Sequence, residues 1–355
     1  MSQTIAIPDM AKPHTTTLQK GENAPRAALE SSQIRVLVSA LGARLCGVYL
    51  RDLKDGHETN IAVNLIDDAA YLDQDSYIGA VCGRYANRIK KSRYPDENGD
   101  IVQLAANEGE HHLHGGPDGF DGRLWTISDQ TERSVTFKLT SPAGDQGYPG
   151  TLSASATYSL VADNRLRLEI TATCDQPCPV NMTSHAYWNL TGTFDKTAGD
   201  HVLQINANQW LPVDDKLIPT GEIRDVMGTG YDFRSPARIS DMLPHASQGF
   251  DHNFCLTGPR GELRQIATLS DPASQRSIKL FSTEAGLQFY LAQHFNDAMK
   301  TENDVPLHTS GGIALEPQTY PNSPNNPNFP SPWLKPGETY RHVIEWEFVN
   351  VAQNN

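Results

Sequence analysis

The chain has few cysteines, five in 355 residues, and an odd number cannot pair completely. Cys174 and Cys178 lie four apart, and Cys46, Cys82 and Cys255 supply no second close pair. That spacing gives neither a disulfide framework nor a four-ligand zinc site. Free thiols suit a reducing compartment, so the expected location is cytoplasmic. Basic residues are also scarce: 29 Lys and Arg stand against 42 Asp and Glu, a formal net charge of -13. An acidic surface repels phosphate backbones and anionic lipid, which argues against nucleic-acid and membrane partners. The N-terminus shows no charged-then-apolar leader, and no run approaches the ~18 apolar residues of a membrane span. Long amphipathic helices are missing too. Short helical turns are expected at Asp67–Leu72 and Ile239–Leu243.

What the chain does contain is a succession of short alternating segments. Ile34, Val36 and Val38 alternate with polar neighbours, as do Val135, Phe137 and Leu139. Leu45–Leu50 reads as a further strand. Leu166, Leu168, Ile170 and Ala172 face one way, with Arg165, Arg167, Glu169 and Thr171 opposite. Near the C-terminus Ile344, Trp346 and Phe348 face inward while Glu345 and Glu347 face out. Many short strands broken by turn residues predict an all-β protein, a sandwich or barrel with large sheets. The expected organisation is an N-terminal arm, residues 1–28, loosely attached or paired at a sheet edge, followed by one domain over 29–350. The segment Pro317–Gly337 carries seven prolines and excludes regular structure. With Phe329 and Trp333 to anchor it, an ordered loop over a site is expected there.

The stretch Asn181–Leu190 separates, at period 2, into Asn181, Thr183, His185, Tyr187 and Asn189 on one face and Met182, Ser184, Ala186, Trp188 and Leu190 on the other. The first face holds uncharged hydrogen-bonders and one imidazole, where a solvated face would hold charges. Such a row suits a concave site for a polyhydroxylated ligand; the plainer alternative is a half-exposed strand with a surface histidine. Four more stretches resemble it. Gly83–Ile89 brings Arg84, Asn87 and Arg88. His111–Gly116 places two glycines after His114, so that backbone approaches a ligand closely. Phe250–Phe254 sets Asp251 beside aromatic rings. In Gly312–Gln318 the small residues Gly312 and Ala314 share a face with Glu316. The strand Gly286–Leu291 adds Gln288 and Tyr290. Singly each is weak, since an isolated Glu or His is usually structural. Together they offer a base (Glu316), candidate acids (His185, His114), a cation (Arg88) and neutral hydroxyl binders, the set needed to move protons on a sugar.

With these residues the chain resembles the aldose 1-epimerase, or galactose mutarotase, family from about Leu29 to Val349. The motifs are GRYANRI at 83–89, LHGG at 113–116, GFDGRLW at 119–125, SHAYWNL at 184–190, YDFRSP at 231–236, FDHNF at 250–254, GLQFY at 286–290 and LEPQTYPNSPNNPNFP at 315–330. The resemblance implies a large antiparallel β-supersandwich, a free monosaccharide as substrate, and no metal or organic cofactor. It implies Glu316 as general base and His185 as general acid. His114 and Arg88 would be partners at the ring and anomeric oxygens, and Asn87, Asp251 and Gln288 hydroxyl ligands. The motif match selects Arg88 over Arg84, whose role would be to hold the loop. Trp188 stands where the family often has Phe, on the face expected to pack. Oligomeric state is left open between monomer and homodimer. Three alternatives remain: a cupin-like metal enzyme using His112, His114 and Asp118; a glycoside hydrolase using Asp251 and Glu316; and a non-catalytic carbohydrate-binding module, which would need neither Glu316 nor His185.

Overall fold

Three antiparallel sheets carry the computed structural model, which describes residues 23–52 and 55–350. The largest has nine strands, in the order Thr126–Gln130, Ser134–Ser141, Leu152–Ala162, Arg165–Cys174, Tyr340–Asn350, Arg276–Ser282, Arg264–Asp271, Val202–Ile205 and Ala237–Arg238. A six-stranded sheet runs Tyr187–Trp188, Ile313–Gln318, Gly286–Tyr290, Asp251–Leu256, Ala207–Trp210 and Arg224–Asp225. A four-stranded sheet holds Arg26–Glu30, Ile34–Ser39, Arg44–Arg51 and Glu58–Asn60. The chain is thus an all-β antiparallel sandwich, as the alternation predicts. The two helical turns appear at Asp68–Leu72 and Ile239–Met242.

The alternation translates directly into layers. In Ile313–Gln318 and Gly286–Tyr290 the residues Ile313, Leu315, Leu287 and Phe289 enter one large buried cluster with Leu166, Leu168, Ile170, Ile344 and Trp346 of the nine-stranded sheet. Each such side chain contributes roughly 1.5–3 kcal/mol by leaving water. Their alternates on the six-stranded sheet, Ala314, Glu316, Gln288 and Tyr290, face the other way. Trp188 lies on the packed face, its ring 5.8 Å from both Trp346 and Phe348, so it is a core residue.

Three sequence readings change. Asn181–Leu190 is not one strand. Thr183–Ser184 pairs with Val81–Cys82, whereas Tyr187–Trp188 pairs with Ile313–Ala314, so the segment passes from one ladder to another at His185 and Ala186. Its two faces are nonetheless those expected, with Met182, Ala186, Trp188 and Leu190 in the core. The expected boundary at residue 28 falls inside a strand: Arg26–Glu30 pairs along its whole length with Ile34–Ser39. Residues 1–22 of the expected arm lie outside the described residues. Finally, Pro317–Gly337 is ordered and not wholly irregular, since Pro317 and Gln318 end the strand Ile313–Gln318 and Trp333–Leu334 pairs with Cys178–Pro179, and it does not line the cavity. It packs behind the Gly83–Ile89 segment, where Asn322 Oδ1 accepts from Lys90 N (3.0 Å) and the Tyr85 hydroxyl donates to Tyr320 O (2.9 Å). Phe329 packs on Tyr320 and Trp333 on Tyr94. All five cysteines are buried and unpaired.

Candidate active site

A cavity of about 980 Å³ opens on the outward face of the six-stranded sheet. Register determines what lies on its floor. Tyr187, Ala314, Tyr290 and Asp251 align across four neighbouring strands, and Gln288 sits directly opposite Glu316 in the adjacent row. Ala314 is fully buried between Tyr187 and Tyr290, whose rings meet edge to face at 6.1 Å, and it does not reach the cavity.

Glu316 and His185 meet on this floor, with Nε2 3.5 Å from Oε1; both side chains are almost fully buried, at 2% and 6% exposed. Among the described residues His185 Nδ1 and Glu316 Oε2 have no hydrogen-bond partner, although both are buried. Orphaned buried polar atoms cost roughly 1–3 kcal/mol each, and at the floor of a cavity such atoms are placed to meet a ligand or to take part in chemistry. Burial pushes the Glu316 carboxyl well above its ordinary range, and the Asp251 charge adds to this while Arg88 opposes it. Burial likewise lowers His185, to about 4. Both shifts disfavour separated charges, so the pair holds one proton between them.

His114 stands beside this pair, its ring centroid 5.1 Å from that of His185. Its Nδ1 accepts a hydrogen bond from the Asn87 backbone N–H (3.1 Å), which places the proton of the neutral ring on Nε2. Burial holds His114 well below its usual value, so it stays a neutral N–H donor. The turn that delivers it requires glycine: a Cβ on Gly115, at φ +100°, would lie 1.8 Å from Gly83 O. That contact joins the LHGG and GRYANRI motifs, and it explains why His114, Asn87 and Arg88 arrive together.

Arg88 is clamped by Glu108 through Nε (2.7 Å) and one terminal nitrogen (2.8 Å), leaving the other 3.6 Å from Asp251. Asn87, Arg88, His114, His185, Asp251 and Glu316 all line the cavity. Gln288 does not. Its Nε2 donates to Asp251 Oδ1 at 2.6 Å, so its contact with the site runs through that carboxylate. Arg84 points elsewhere, donating to Ser141, Pro142 and Pro149. It holds the loop.

The metal reading built on His112 and His114 does not survive. His112 turns away, with Nδ1 2.6 Å from Ala105 O and Nε2 2.8 Å from the Tyr148 hydroxyl. A different trio, His114, His185 and Glu316, brings ligand-type atoms within 4.8 Å of one another. A metal would need a bare imidazole nitrogen from His114. Its Nδ1 lone pair is taken by Asn87, and its Nε2 carries the proton. The donor set therefore suits proton exchange.

Sequence reasoning missed Tyr77, Glu108 and the buried carboxyl of Asp121, which burial pushes up to about 6. All three line the cavity. Asp121 carried a signal, since it lies within the GFDGRLW motif; Tyr77 and Glu108 sit in polar loops without pattern.

The profile of the aldose 1-epimerase family matches residues 26–347. The chain is 40% identical to an aldose 1-epimerase of Escherichia coli (strain K12) over 305 residues, 84% of this chain and 87% of the other. It is 37% identical to a galactose mutarotase of Bos taurus, over 90% of this chain and 92% of that one. Among solved structures, an aldose epimerase homologue from C. elegans superposes with a TM-score of 0.84 at 28% identity, covering 92% of this chain and 99% of the other. A galactose 1-epimerase from Lactobacillus acidophilus gives 0.80 at 29%, covering 94% and 97%.

Proposed function

The chain belongs to the aldose 1-epimerase family, and from that premise we infer that it interconverts the α and β anomers of free aldoses such as glucose and galactose, with Glu316 and His185 exchanging the protons. A cyclic aldose is a hemiacetal. Opening it requires removal of the proton on the C1 hydroxyl and delivery of one to the ring oxygen. Rotation about C1–C2 and closure on the other carbonyl face give the other anomer. No electron or group is transferred.

The observation that carries the assignment is the buried pair itself, 3.5 Å apart with an unpartnered atom on each member. One shared proton serves both directions. With the proton on His185, Glu316 is a carboxylate that takes the C1 hydroxyl proton while the imidazolium protonates the ring oxygen. In the open-chain state the proton sits on Glu316 and His185 is neutral, ready for the reverse. General acid–base assistance supplies roughly 10²–10⁴-fold, and orientation in the cavity adds to it. His114, as a neutral Nε2–H donor, and Arg88 support the oxygen that carries developing negative charge. Asp251 and Asn87 accept and donate to sugar hydroxyls, and Gln288 orients Asp251.

A carbohydrate-binding module would not need two buried titratable groups with unpartnered atoms. A hydrolase built on Asp251 and Glu316 would need Asp251 free, and Arg88 and Gln288 already engage it. We propose a cytoplasmic location as well; five unpaired buried thiols suit a reducing compartment. Polarimetry tests the activity. Equilibration of freshly dissolved α-D-glucose or α-D-galactose is expected to accelerate in proportion to protein, with no aglycone released from an aryl glycoside. An unaltered equilibration rate, or aglycone release, rejects the assignment.

A further inference from the structure

The reaction needs the charged form of His185, and its surroundings oppose that form. The groups facing this ring are few. Glu316 lies 3.5 Å away and His114 presents a neutral ring at 5.1 Å. Asp251 acts at longer range to favour the charge and Arg44 to disfavour it, and burial outweighs both. Two aromatic rings complete the shell. Tyr187 lies 4.9 Å from the His185 ring, at 32° to its plane. Tyr77 lies 5.9 Å away at 28°, and 4.5 Å from His114.

Tyr77 is built into this position. Its backbone takes φ +51°, in the left-handed region that bulky residues seldom occupy. The turn that follows is hydrogen-bonded to His185 itself. Ala80 N–H donates to Tyr77 O (3.0 Å), Gly79 N–H to His185 O (2.9 Å), and His185 N–H to Ala80 O (2.8 Å). Gly79 cannot be replaced, since a Cβ there would meet Leu45 O at 2.1 Å. Three backbone bonds therefore fix the Tyr77 backbone relative to that of His185, and from these anchor points the two rings lie 5.9 Å apart at 28°. The Tyr77 hydroxyl contributes little, its contact being a long 3.4 Å acceptance from Asn107 Nδ2. The ring is what the turn positions.

We propose that Tyr77 is a positioning residue whose ring face stabilises the imidazolium of His185 during proton exchange. A cation within about 6 Å of an aromatic centroid is attracted by the negative π face, more strongly where water is excluded. This offsets part of the burial that disfavours the charge, and it raises the fraction of the pair in the form that can open the ring. The proposal rests on His185 being the proton donor, and the experiment separates the two claims.

Tyr77→Leu removes the π face and keeps apolar bulk; Tyr77→Phe keeps the face and removes the hydroxyl. Two quantities are measured: the His185 imidazole 15N titration, assigned by its loss in His185→Gln, and kcat and KM by polarimetry. In Tyr77→Leu the titration midpoint is expected to fall by about one pH unit and kcat by about tenfold, with KM little changed. Tyr77→Phe is expected to restore both. If Tyr77→Leu does not fold, Tyr77→Met takes its place. A midpoint equal to the wild type in the Leu or Met variant overturns the proposal, and so does a Phe variant as impaired as Leu. A shifted midpoint with unchanged kcat upholds the Tyr77 contact and instead removes His185 from the donor role.

Discussion

At the scale of single residues, the two groups proposed to exchange protons are legible in the sequence because chemistry limits which side chains can do the work. Glu316 follows the small residues Gly312 and Ala314 on the outward face of its strand, and His185 sits in a row without charges; both patterns are visible in one dimension. Tyr77 and Glu108 are not. Each matters through a partner far along the chain, Tyr77 through His185 and Glu108 through Arg88. The sequence groups Gln288 with the sugar ligands, whereas its Nε2 donates to Asp251 and its side chain does not line the cavity. Hydrogen-bond partners of a side chain depend on register between strands, and a single sequence does not display register. The pH dependence belongs at this scale. Below about pH 4 the pair takes a second proton and loses its base, because His185 is lowered to about 4 from 6.5. On the alkaline side the shared proton leaves only above the ordinary carboxylate range, because Glu316 is raised. The profile of kcat/KM for the free enzyme is therefore expected to have its acid limb near 4, well below that of an ordinary imidazole, and its alkaline limb above the ordinary carboxylate range. An acid limb centred near 6.5 would show that His185 titrates as an ordinary exposed imidazole.

At the scale of elements, period-2 alternation located the long strands because one side of each is packed. Leu152–Ala162 and Arg165–Cys174 show it plainly, with buried residues at every second position. It misjudged Asn181–Leu190, where both faces are buried and the segment serves two ladders in turn. Alternation reports which side is apolar; it does not report when pairing partners change. The proline-rich segment is ordered, as its aromatic residues predict, but it lies behind the site and not over it, since its anchoring rings pack against Tyr94 and Tyr320. The loops carrying Gly115 and Gly83 approach so closely that no side chain fits between them. Gly115→Ala places a methyl 1.8 Å from a carbonyl oxygen at a φ of +100°. A cost of at least about 2 kcal/mol is expected from strain and displaced backbone. Thermal unfolding measures it, and the surviving folded protein is expected to show a raised KM, because His114, Asn87 and Arg88 move together. A variant with unchanged Tm and KM would mean that the two loops are not coupled.

At the scale of the whole molecule, the all-β class followed from strand length and the lack of long helices. The strand order of the nine-stranded sheet did not, because the partners of Tyr340–Asn350 within it lie more than 160 residues away in the chain on one side and more than 60 on the other. The stacking of that sheet on the six-stranded one gives the site its character. One face of the six-stranded sheet is consumed by the core, so its polar alternates are gathered on the other face and walled off from water by the loops that carry Tyr77, Asn87 and His114. A buried carboxyl and imidazole are then forced to share one proton, and everything said about catalysis depends on that. Polarimetry of Glu316→Gln, with sugar binding measured in parallel by calorimetry, tests it most directly. The account predicts a loss of roughly 10²–10⁴-fold in kcat with the aldose still bound, whereas wild-type turnover in that variant would contradict it.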